Sequence, residues 1–463
     1  MDSYDVIVIG AGPGGYVAAI RAAHRGAKVA LIERECLGGT CLNWGCIPTK
    51  TLIHSAELFH QMTQAGACGV TAQGVSFEWD KMLARKNEVV AKLRQGIGML
   101  MKANGVTVIE GTGALVSRRQ VRIAGKDCET TVEGRKIIIA TGSESARPSA
   151  FPFNQTNVLE SRALLDLPAL PQSMIIIGGG VIGCEFASML NGLGVQITIV
   201  EMLERLLPIE DKEISNAITR AFQKAGITVK TGVQAGNIQA GPQGVTCDVA
   251  GVALSAEMML VAVGRALNTK GIGLEAAGVK TERGVIVVDD EMQTNIAGIY
   301  AIGDITGKAQ LAHVASAQAL VAADNASGHA ARMDYTVVPN CIFTRPEIAT
   351  VGLSEEQART KAGEIRIGKF PYAALGKALA IGEPDGFYRM ITSATTDEIL
   401  GVQIVGAHAT DLIAEAALAI RLQCTAREFA QTIHAHPTLA EGLMEAAHDA
   451  HGACIHAAPR KRG

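Results

Sequence analysis

Apolar residues occur along the chain in two strand-like runs, each followed by glycines and then by an alanine-rich helical stretch. The first run is Val6–Ile9 and the second is Met174–Ile177. Each helical stretch ends near a glycine, Gly26 or Gly194, and leads into another apolar run. A short apolar run bounded by turn residues predicts a buried strand. The pattern therefore predicts two strand-turn-helix-strand units of parallel α/β structure.

The two units are copies of one module. Segments Gly10–Glu33 and Gly178–Glu201 have the same length and carry glycines at the same spacing: Gly10, Gly12 and Gly15, then Gly178, Gly180 and Gly183. In this pattern the first glycine makes a tight turn, the second lets backbone amides approach a pyrophosphate, and the third lets the helix pack closely on the sheet. Each copy is predicted to bind a dinucleotide with its phosphates at the helix N-terminus.

The acid at the end of each module predicts which dinucleotide is bound. Glu33 and Glu201 each follow an apolar run, where a carboxylate accepts hydrogen bonds from a ribose 2′-hydroxyl. At the second module this carboxylate would also repel a 2′-phosphate. The second nucleotide is therefore expected to be NAD rather than NADP.

Two further apolar runs, Lys136–Gly142 and Gly298–Asp304, lie on either side of the second module. Their positions predict that the chain begins one domain, leaves it near Ser143 and returns near Lys270. The expected fold is α/β, with two Rossmann-like dinucleotide-binding domains and a C-terminal α/β domain. The domain bounds are predicted at 1–145 and 270–334 for the first domain, 146–269 for the second and 335–463 for the third.

A cysteine pair follows the first module. Cys41 and Cys46 are separated by four residues, and Gly45 permits a turn between them. Pro48 suits the first turn of a helix. Cys46 would then lie near a helix N-terminus, where the dipole stabilises a thiolate. The segment predicts a redox-active thiol pair.

Spacing alone does not select this pair, because Cys36 precedes Cys41 by the same interval that separates Cys41 from Cys46. The glycine and the helix start favour Cys41 with Cys46. The remaining cysteines are expected to be buried, reduced thiols. No metal is expected, since no second short-spaced cysteine or histidine pair accompanies this one.

Composition narrows the class of protein. A chain of 463 residues with a formal net charge of -3 can form several domains and has no basic stripe, so nucleic acid is not an expected partner. Ten cysteines are too dilute for a secreted disulfide framework. Neither a secretory leader nor an apolar run long enough for a membrane span is recognisable in the sequence. We expect a cytoplasmic protein without a membrane partner.

The motifs together resemble those of the pyridine nucleotide-disulphide oxidoreductases, most closely the members that oxidise dihydrolipoyl groups with NAD. The resemblance covers essentially the whole chain. Its markers are GAGPGGYVAAIRAA from Gly10, GGTCLNWGCIPTK from Gly38, ATG at Ala140–Gly142, VGR at Val263–Arg265, GIYAIGD at Gly298–Asp304, RPEIATVG at Arg345–Gly352 and HAHPTLAEG at His434–Gly442.

The resemblance implies FAD on the first module and NAD on the second. Residues implied to contact FAD, besides the first glycine triplet and Glu33, are Lys50, Gly142, Asp304 and Ala312. Residues implied near NAD, besides the second triplet and Glu201, are Glu185 and Gly264. It further implies that Cys46 is the sulfur next to the flavin and Cys41 exchanges with substrate. Lys50 is implied to pair with Glu185.

The resemblance also assigns the acid-base chemistry. It implies that His436 takes a proton from a substrate thiol and that Glu441 orients its ring. A carboxylate fixes the tautomer of an imidazole and raises its basicity, and imidazole titrates near neutrality. The other histidines of this region are expected to be surface or core residues: His434, His448, His451 and His456.

The implied working unit is a homodimer in which the C-terminal domain supplies its histidine to the opposite subunit. The implied partner is a lipoylated carrier protein or a multienzyme complex. Two alternatives stay open: another FAD- and NAD(P)-dependent disulfide reductase, or a redox-inactive flavoprotein that serves as a regulatory subunit.

Overall fold

The apolar runs of the first module form the centre of a mixed sheet. The structure, a computed structural model, describes residues 1–154 and 156–458. Elements up to residue 145 are β1 (Ser3–Ile9), α1 (Pro13–His24), β2 (Val29–Glu33), α2 (Gly39–Trp44), α3 (Cys46–Gln64), α4 (Trp79–Ala103), β3 (Thr107–Glu110), β4 (Thr112–Leu115), β5 (Gln120–Ala124), β6 (Glu129–Ile139) and β7 (Ser143–Ser145). The sheet order is β3-β2-β1-β6-β5-β4. Strand β1 is parallel to β2 and β6, and its residues Val6–Ile9 are buried, as expected for a strand covered on both faces.

The second module builds a separate parallel sheet. Its elements are β8 (Val158–Leu159), α5 (Ser161–Leu164), β9 (Ser173–Ile177), α6 (Val181–Gly192), β10 (Gln196–Val200), α7 (Lys212–Lys224), β11 (Thr228–Lys230), β12 (Ala235–Gly241), β13 (Gly244–Val249), β14 (Val252–Ala256) and β15 (Met258–Val261). The parallel sheet has the order β11-β10-β9-β15-β8, and an antiparallel sheet, β12-β13-β14, accompanies it.

The chain then returns to the first sheet. The returning elements are β16 (Arg265–Leu267), α8 (Leu274–Ala277), β17 (Thr281–Glu282), β18 (Val285–Ile286), β19 (Ile299–Ala301) and α9 (Ala312–Ala326). Strand β16 pairs antiparallel with β7, so the outgoing and returning chains lie side by side. Strand β19 then adds to the first sheet parallel to β6. Residues far apart in sequence therefore share one core, in which Ile7, Ile137 and Ile299 are fully buried.

The last part of the chain forms an antiparallel sheet with helices. Its elements are β20 (Asn340–Ile342), β21 (Ile348–Gly352), α10 (Glu355–Ala362), β22 (Ile365–Pro371), α11 (Gly376–Ala380), β23 (Phe387–Ser393), β24 (Ile399–Val405), α12 (Ala409–Arg421), α13 (Ala426–Gln431) and α14 (Glu441–Ala450). The strand order is β20-β21-β24-β23-β22. Helix α14 packs on β22 and β23, which fixes the start of α14 relative to this sheet.

The predicted fold class is confirmed: a mixed sheet and a parallel sheet, each built around one nucleotide module, precede a C-terminal α/β unit. Within the residues that the structure describes, none of the helices combines the length and the apolar character needed to cross a membrane.

Candidate active site

The first glycine triplet forms a tight turn between β1 and α1. Gly10 has φ +99°, a conformation that favours glycine. A Cβ at Gly15 would lie 1.8 Å from the Gly10 carbonyl oxygen, whereas a Cβ at Gly12 would meet no atom within 4 Å. Helix α1 has no side-chain cap at its N-terminus. Open space beside uncapped amides fits the pyrophosphate of a dinucleotide.

The second triplet repeats this geometry before α6. Gly178 has φ +109°, and a Cβ at Gly183 would lie 2.0 Å from the Gly178 carbonyl oxygen. Gly180 faces open space, and α6 also lacks a side-chain cap. The structure thus separates the packing glycine from the glycine that leaves room for a ligand in both modules.

The two predicted ribose acids lie beside these turns. Glu33 accepts a hydrogen bond from the Ala11 backbone amide at 2.7 Å. Glu201 is buried and accepts bonds from the amides of Gly179 at 2.6 Å and Leu203 at 2.7 Å. Each ionised carboxylate has further acceptor capacity, so both can still receive a ribose hydroxyl.

Cys41 and Cys46 are joined by a disulfide, with Cα atoms 4.7 Å apart. Cys36 is a free thiol, and the Arg94 guanidinium donates to its sulfur at 3.3 Å. The segment between the paired cysteines is more ordered than the turn predicted from Gly45, because Gly39–Trp44 form helix α2. Cys46 is the first residue of α3, where the helix dipole stabilises a thiolate.

The cysteine segment is fixed directly against the first glycine turn. The Gly38 amide donates to the Ala11 carbonyl at 2.8 Å. A Cβ at Gly39 would lie 2.6 Å from the Cα of Gly12, so only glycine permits this approach. The disulfide is therefore placed beside the predicted FAD site by backbone contacts.

The other cysteines are free, as predicted, but not all of them are buried. Cys184 and Cys247 are buried, whereas Cys68 and Cys128 are exposed. Burial raises the pKa of the Cys341 thiol to about 11. That thiol stays protonated near neutral pH and is a poor nucleophile.

A polar cluster joins β7 and β16, where the chain leaves and re-enters the first domain, to Asp304. The Ser143 hydroxyl donates to the Asp304 carboxylate. Arg265 donates from Nε to the same hydroxyl at 2.6 Å and from Nη2 to the Ser143 carbonyl at 2.7 Å. The Thr40 hydroxyl, next to Cys41, also donates to the Ser143 carbonyl at 3.2 Å. Ser143 thereby connects Asp304, a predicted FAD contact, to helix α2, which carries Cys41.

The remaining predicted cofactor residues lie around this cluster. Gly142 and Gly264 directly precede β7 and β16 and have φ +66° and +126°, which favours glycine at both. Ala312 is the first residue of α9, and α9 has no side-chain cap. Its N-terminal amides are therefore available to a ligand.

Lys50 and Glu185 form the predicted ion pair, with Lys50 Nζ 2.8 and 2.7 Å from the two carboxylate oxygens. Glu185 is buried, so desolvation would penalise an unpaired carboxylate. Its Oε1 also accepts a bond from the Phe343 amide at 3.0 Å, and Lys50 Nζ lies 4.5 Å from the centre of the Phe343 ring. One carboxylate thus links both nucleotide modules to the C-terminal unit.

The predicted acid-base residues are also in contact. His436 Nδ1 donates to Glu441 Oε1 at 2.8 Å, which leaves Nε2 as the second ring nitrogen for a ligand. The His436 side chain is 78% exposed. Burial raises the pKa of Glu441, but hydrogen bonds from the Thr438 amide and the His436 ring outweigh it and hold the pKa below its ordinary value. Glu441 therefore stays ionised at neutral pH and can orient His436.

Within the part of the chain that the structure describes, the hydrogen bonds of His436 reach Glu441 and none of the cysteine segment. The disulfide, Lys50 and Asp304 are gathered at the first two modules, and the histidine lies on the C-terminal unit. Sequence reasoning missed Gly39, Ser143, Arg265 and Phe343 as parts of the site. Gly39 and Arg265 lie inside quoted motifs, whereas Ser143 and Phe343 carry no local signal.

A sequence profile described as pyridine nucleotide-disulphide oxidoreductase matches residues 4–319. A second profile, described as the dimerisation domain of the same group, matches residues 338–447. The chain belongs to the pyridine nucleotide-disulphide oxidoreductases. This family membership confirms the predicted resemblance, and it makes the chain an oxidoreductase that carries the family's dimerisation domain.

Curated relatives within the family align over nearly the whole chain. A dihydrolipoyl dehydrogenase of Chlamydia pneumoniae is 46% identical over 445 residues, covering 96% of each chain. A dihydrolipoyl dehydrogenase of Bacillus subtilis is 44% identical over 474 residues, covering 98% of this chain and 99% of the relative.

Solved structures of the family agree with the fold. LpdA from Mycobacterium tuberculosis matches with a TM-score of 0.90 at 28% identity, over 96% of this chain and 99% of that one. The HOCl-induced flavoprotein disulfide reductase RclA from Escherichia coli matches with a TM-score of 0.86 at 30% identity, over 95% and 98%. The whole architecture of this chain is thus that of the family.

Proposed function

We propose that this chain oxidises protein-bound dihydrolipoyl groups to lipoyl groups and reduces NAD+ to NADH, using FAD and the Cys41–Cys46 disulfide. The observation that carries the proposal is the disulfide held at the N-terminus of α3, against the first dinucleotide turn. The dihydrolipoyl dehydrogenases at 40–46% identity support the choice of substrate. The partner would be a lipoylated carrier protein or the complex that contains it.

The two glycine turns support one bound cofactor each. We infer that residues 1–145 and 270–334 bind FAD, 146–269 bind NAD, and 335–463 form the dimer interface. When bound, FAD would accept two electrons from the reduced cysteine pair and deliver them to NAD as hydride. Glu33 and Asp304 would hold FAD, and Glu201 would favour NAD over NADP.

The thiol chemistry uses both cysteines in turn. One dihydrolipoyl thiolate attacks the sulfur of Cys41, forming a mixed disulfide and releasing Cys46 as a thiolate. The second dihydrolipoyl thiolate then attacks the substrate sulfur of that mixed disulfide, which closes the lipoyl ring and releases the Cys41 thiolate. The dipole of α3 stabilises the thiolate that forms at Cys46.

His436 of the partner subunit would take the proton from the substrate thiol. Glu441 accepts from Nδ1 of this ring, so neutral His436 presents its unprotonated Nε2 as the base. The exposure of the ring in a single chain agrees with a site completed by a second copy.

The proposal is tested with purified protein and dihydrolipoamide. The protein should be yellow and should reduce NAD+ with dihydrolipoamide, with NADPH a poor substitute for NADH in reverse. Cys41→Ser and Cys46→Ser should each abolish this activity, because each removes one of the exchanging sulfurs. The two variants should retain FAD, and transfer from NADH to a quinone dye should persist since it needs no disulfide.

Cys36→Ser is the matched control and should retain full lipoamide turnover. Loss of turnover in Cys36→Ser with normal turnover in Cys41→Ser would show that the redox pair is wrongly chosen. A colourless protein that cannot be reconstituted with FAD would contradict the proposed function as a whole.

A further inference from the structure

The loop that carries His436 runs between α13 and α14. Neighbouring side chains on it differ sharply in exposure: Ile433 is 96% exposed and His436 78%, whereas the His434 side chain is only 5% exposed. A buried imidazole two residues before an exposed one indicates that His434 faces the protein interior and has a separate role.

The polar atoms of the buried ring are both paired. His434 Nδ1 lies 2.8 Å from the Thr432 carbonyl oxygen, and Nε2 lies 3.0 Å from Glu415 Oε1 on helix α12. The ring also packs against Phe429 of α13, with ring centroids 5.6 Å apart. His434 therefore connects the loop to two helices.

Apart from His434, among the described residues the loop is bonded to the rest of the C-terminal unit at or after His436, and one bond lies within the loop, from the Thr438 hydroxyl to the Ala435 carbonyl at 2.8 Å. Glu441 accepts from the Thr438 amide at 2.8 Å, and the Tyr388 hydroxyl of β23 donates to the Leu439 carbonyl at 2.8 Å. Before His436, among the described residues, the hydrogen bonds of Thr432 return to α13, and only the side chain of His434 reaches another helix.

We propose that His434 is a positioning residue whose bond to Glu415 anchors the leading half of this loop, so that His436 projects at a fixed angle from the C-terminal unit. The inference rests on the proposed role of His436 as the base. Acid-base catalysis requires the base within hydrogen-bond reach of its proton, so a loop fixed at one end alone would place His436 productively for part of the time.

The experiment compares four single variants and one double variant of the full-length holoenzyme. His434→Phe keeps a ring against Phe429 but cannot donate to Glu415. His434→Gln keeps a donor at this position, and Glu415→Gln removes the charged acceptor. His24→Gln is the matched control, because His24 is an exposed histidine on α1 bonded to Asn104.

We expect kcat for dihydrolipoamide oxidation to fall about tenfold or more in His434→Phe, as part of the 10²–10⁴-fold worth of a positioned acid-base group. The kcat/KM for NAD+ and the NADH-to-quinone rate should stay unchanged, since neither uses His436. His434→Gln should recover most of kcat. The double variant His434→Phe/Glu415→Gln should be no slower than His434→Phe, because the two substitutions remove the same contact.

Hydrogen exchange of the loop tests the anchor without reference to turnover. Deuterium uptake by a peptide spanning residues 432–441 should rise in His434→Phe and return toward the parent value in His434→Gln. Unchanged uptake in His434→Phe, or full kcat in that variant, would overturn the inference. If the parent enzyme failed to oxidise dihydrolipoamide, the proposed function would fall, and exchange alone would decide on the anchor.

Discussion

At each nucleotide turn, one glycine is required for helix packing and another leaves room for a ligand. At Gly15 and Gly183 an added Cβ would lie 1.8 and 2.0 Å from a backbone oxygen, so the helix could not keep its place on the sheet. At Gly12 and Gly180 the same atom would enter open space. Substitution at the second kind of position should therefore affect the ligand and leave the fold intact.

Gly180→Ala tests this distinction. Gly180 has φ -76° and ψ -175°, which alanine adopts without strain, so the thermal midpoint should not fall. The added methyl group would occupy the predicted path of the NAD pyrophosphate. We expect KM for NAD+ to rise about tenfold or more, as for one lost charge-assisted hydrogen bond, with FAD content unchanged.

Gly192→Ala is the control for Gly180→Ala. Gly192 lies in the same helix and also faces open space. It should raise stability by up to about 1 kcal/mol and leave KM for NAD+ as it is. An unchanged KM in Gly180→Ala would show that the phosphates do not pass over this residue.

Helices α1 and α9 are joined by one carboxylate. Asp324 on α9 accepts from Nε of Arg21 on α1 at 2.7 Å and from Nε of Arg25, the residue directly after α1, at 2.7 Å. The hydrogen bond from Arg21, with that from Arg25, lowers the pKa of Asp324 to about 2. A carboxyl with a depressed pKa in the folded protein contributes stability above its unfolded pKa of about 3.9, and this contribution is lost as the pH falls toward 2.

Asp324→Asn should accordingly destabilise the first module at neutral pH. We expect the apparent free energy of unfolding in urea to fall by about 1–2 kcal/mol at pH 7, since solvent screens the partly exposed arginines. The difference from the parent protein should shrink as the pH is lowered from 4 toward 2. Asp385→Asn, which removes an exposed partner of Lys224, is the control and should change little. A constant difference at every pH would contradict the role of the Asp324 charge.

Buried or partly buried charges join the parts of the molecule, beside an apolar cluster that spans all three. Glu185 of the second module pairs with Lys50 of the first and with the Phe343 amide of the C-terminal unit. Arg389 of β23 is buried and pairs with Asp211, just before α7. These contacts fix the three parts of one chain, yet they leave His436 and the disulfide on separate units.

A subunit-exchange experiment tests whether a second chain completes the site. His436→Ala should lower lipoamide turnover by the roughly 10²–10⁴-fold typical of a lost acid-base group and keep FAD bound. Cys41→Ser/Cys46→Ser should be inactive in the same assay. Heterodimers of the two should regain activity, because one of their sites would combine intact cysteines with an intact histidine. Verified heterodimers that stay inactive would show that His436 acts within its own chain or is not the base.

The sequence by itself determined the two nucleotide modules. Each module needs glycines at a turn, a helix after them and an acid after the next strand, and these residues occur at fixed spacings within one short segment. The roles of His436 and Glu441 came from the resemblance to a family, although the two residues are only five apart and lie in one short loop and helix start. The resemblance to a family supplied the pairing of Lys50 with Glu185, which are 135 residues apart and carry no local pattern.

Tertiary structure alone decided the contacts that combine distant segments. Cys36 and Cys46 are equally spaced from Cys41, and the preference for Cys46 that Gly45 and the helix start gave became a definite pairing only in the folded chain, where Cys41 is bonded to Cys46 and Cys36 is free. The site also includes Ser143, Arg265 and Phe343, because β7, β16 and the C-terminal unit meet there. His434 differs from the other histidines because its ring is buried, bonded to Glu415 of α12 and packed against Phe429 of α13. Such roles arise from which surfaces pack together, and packing depends on the whole chain rather than on the residues next in sequence.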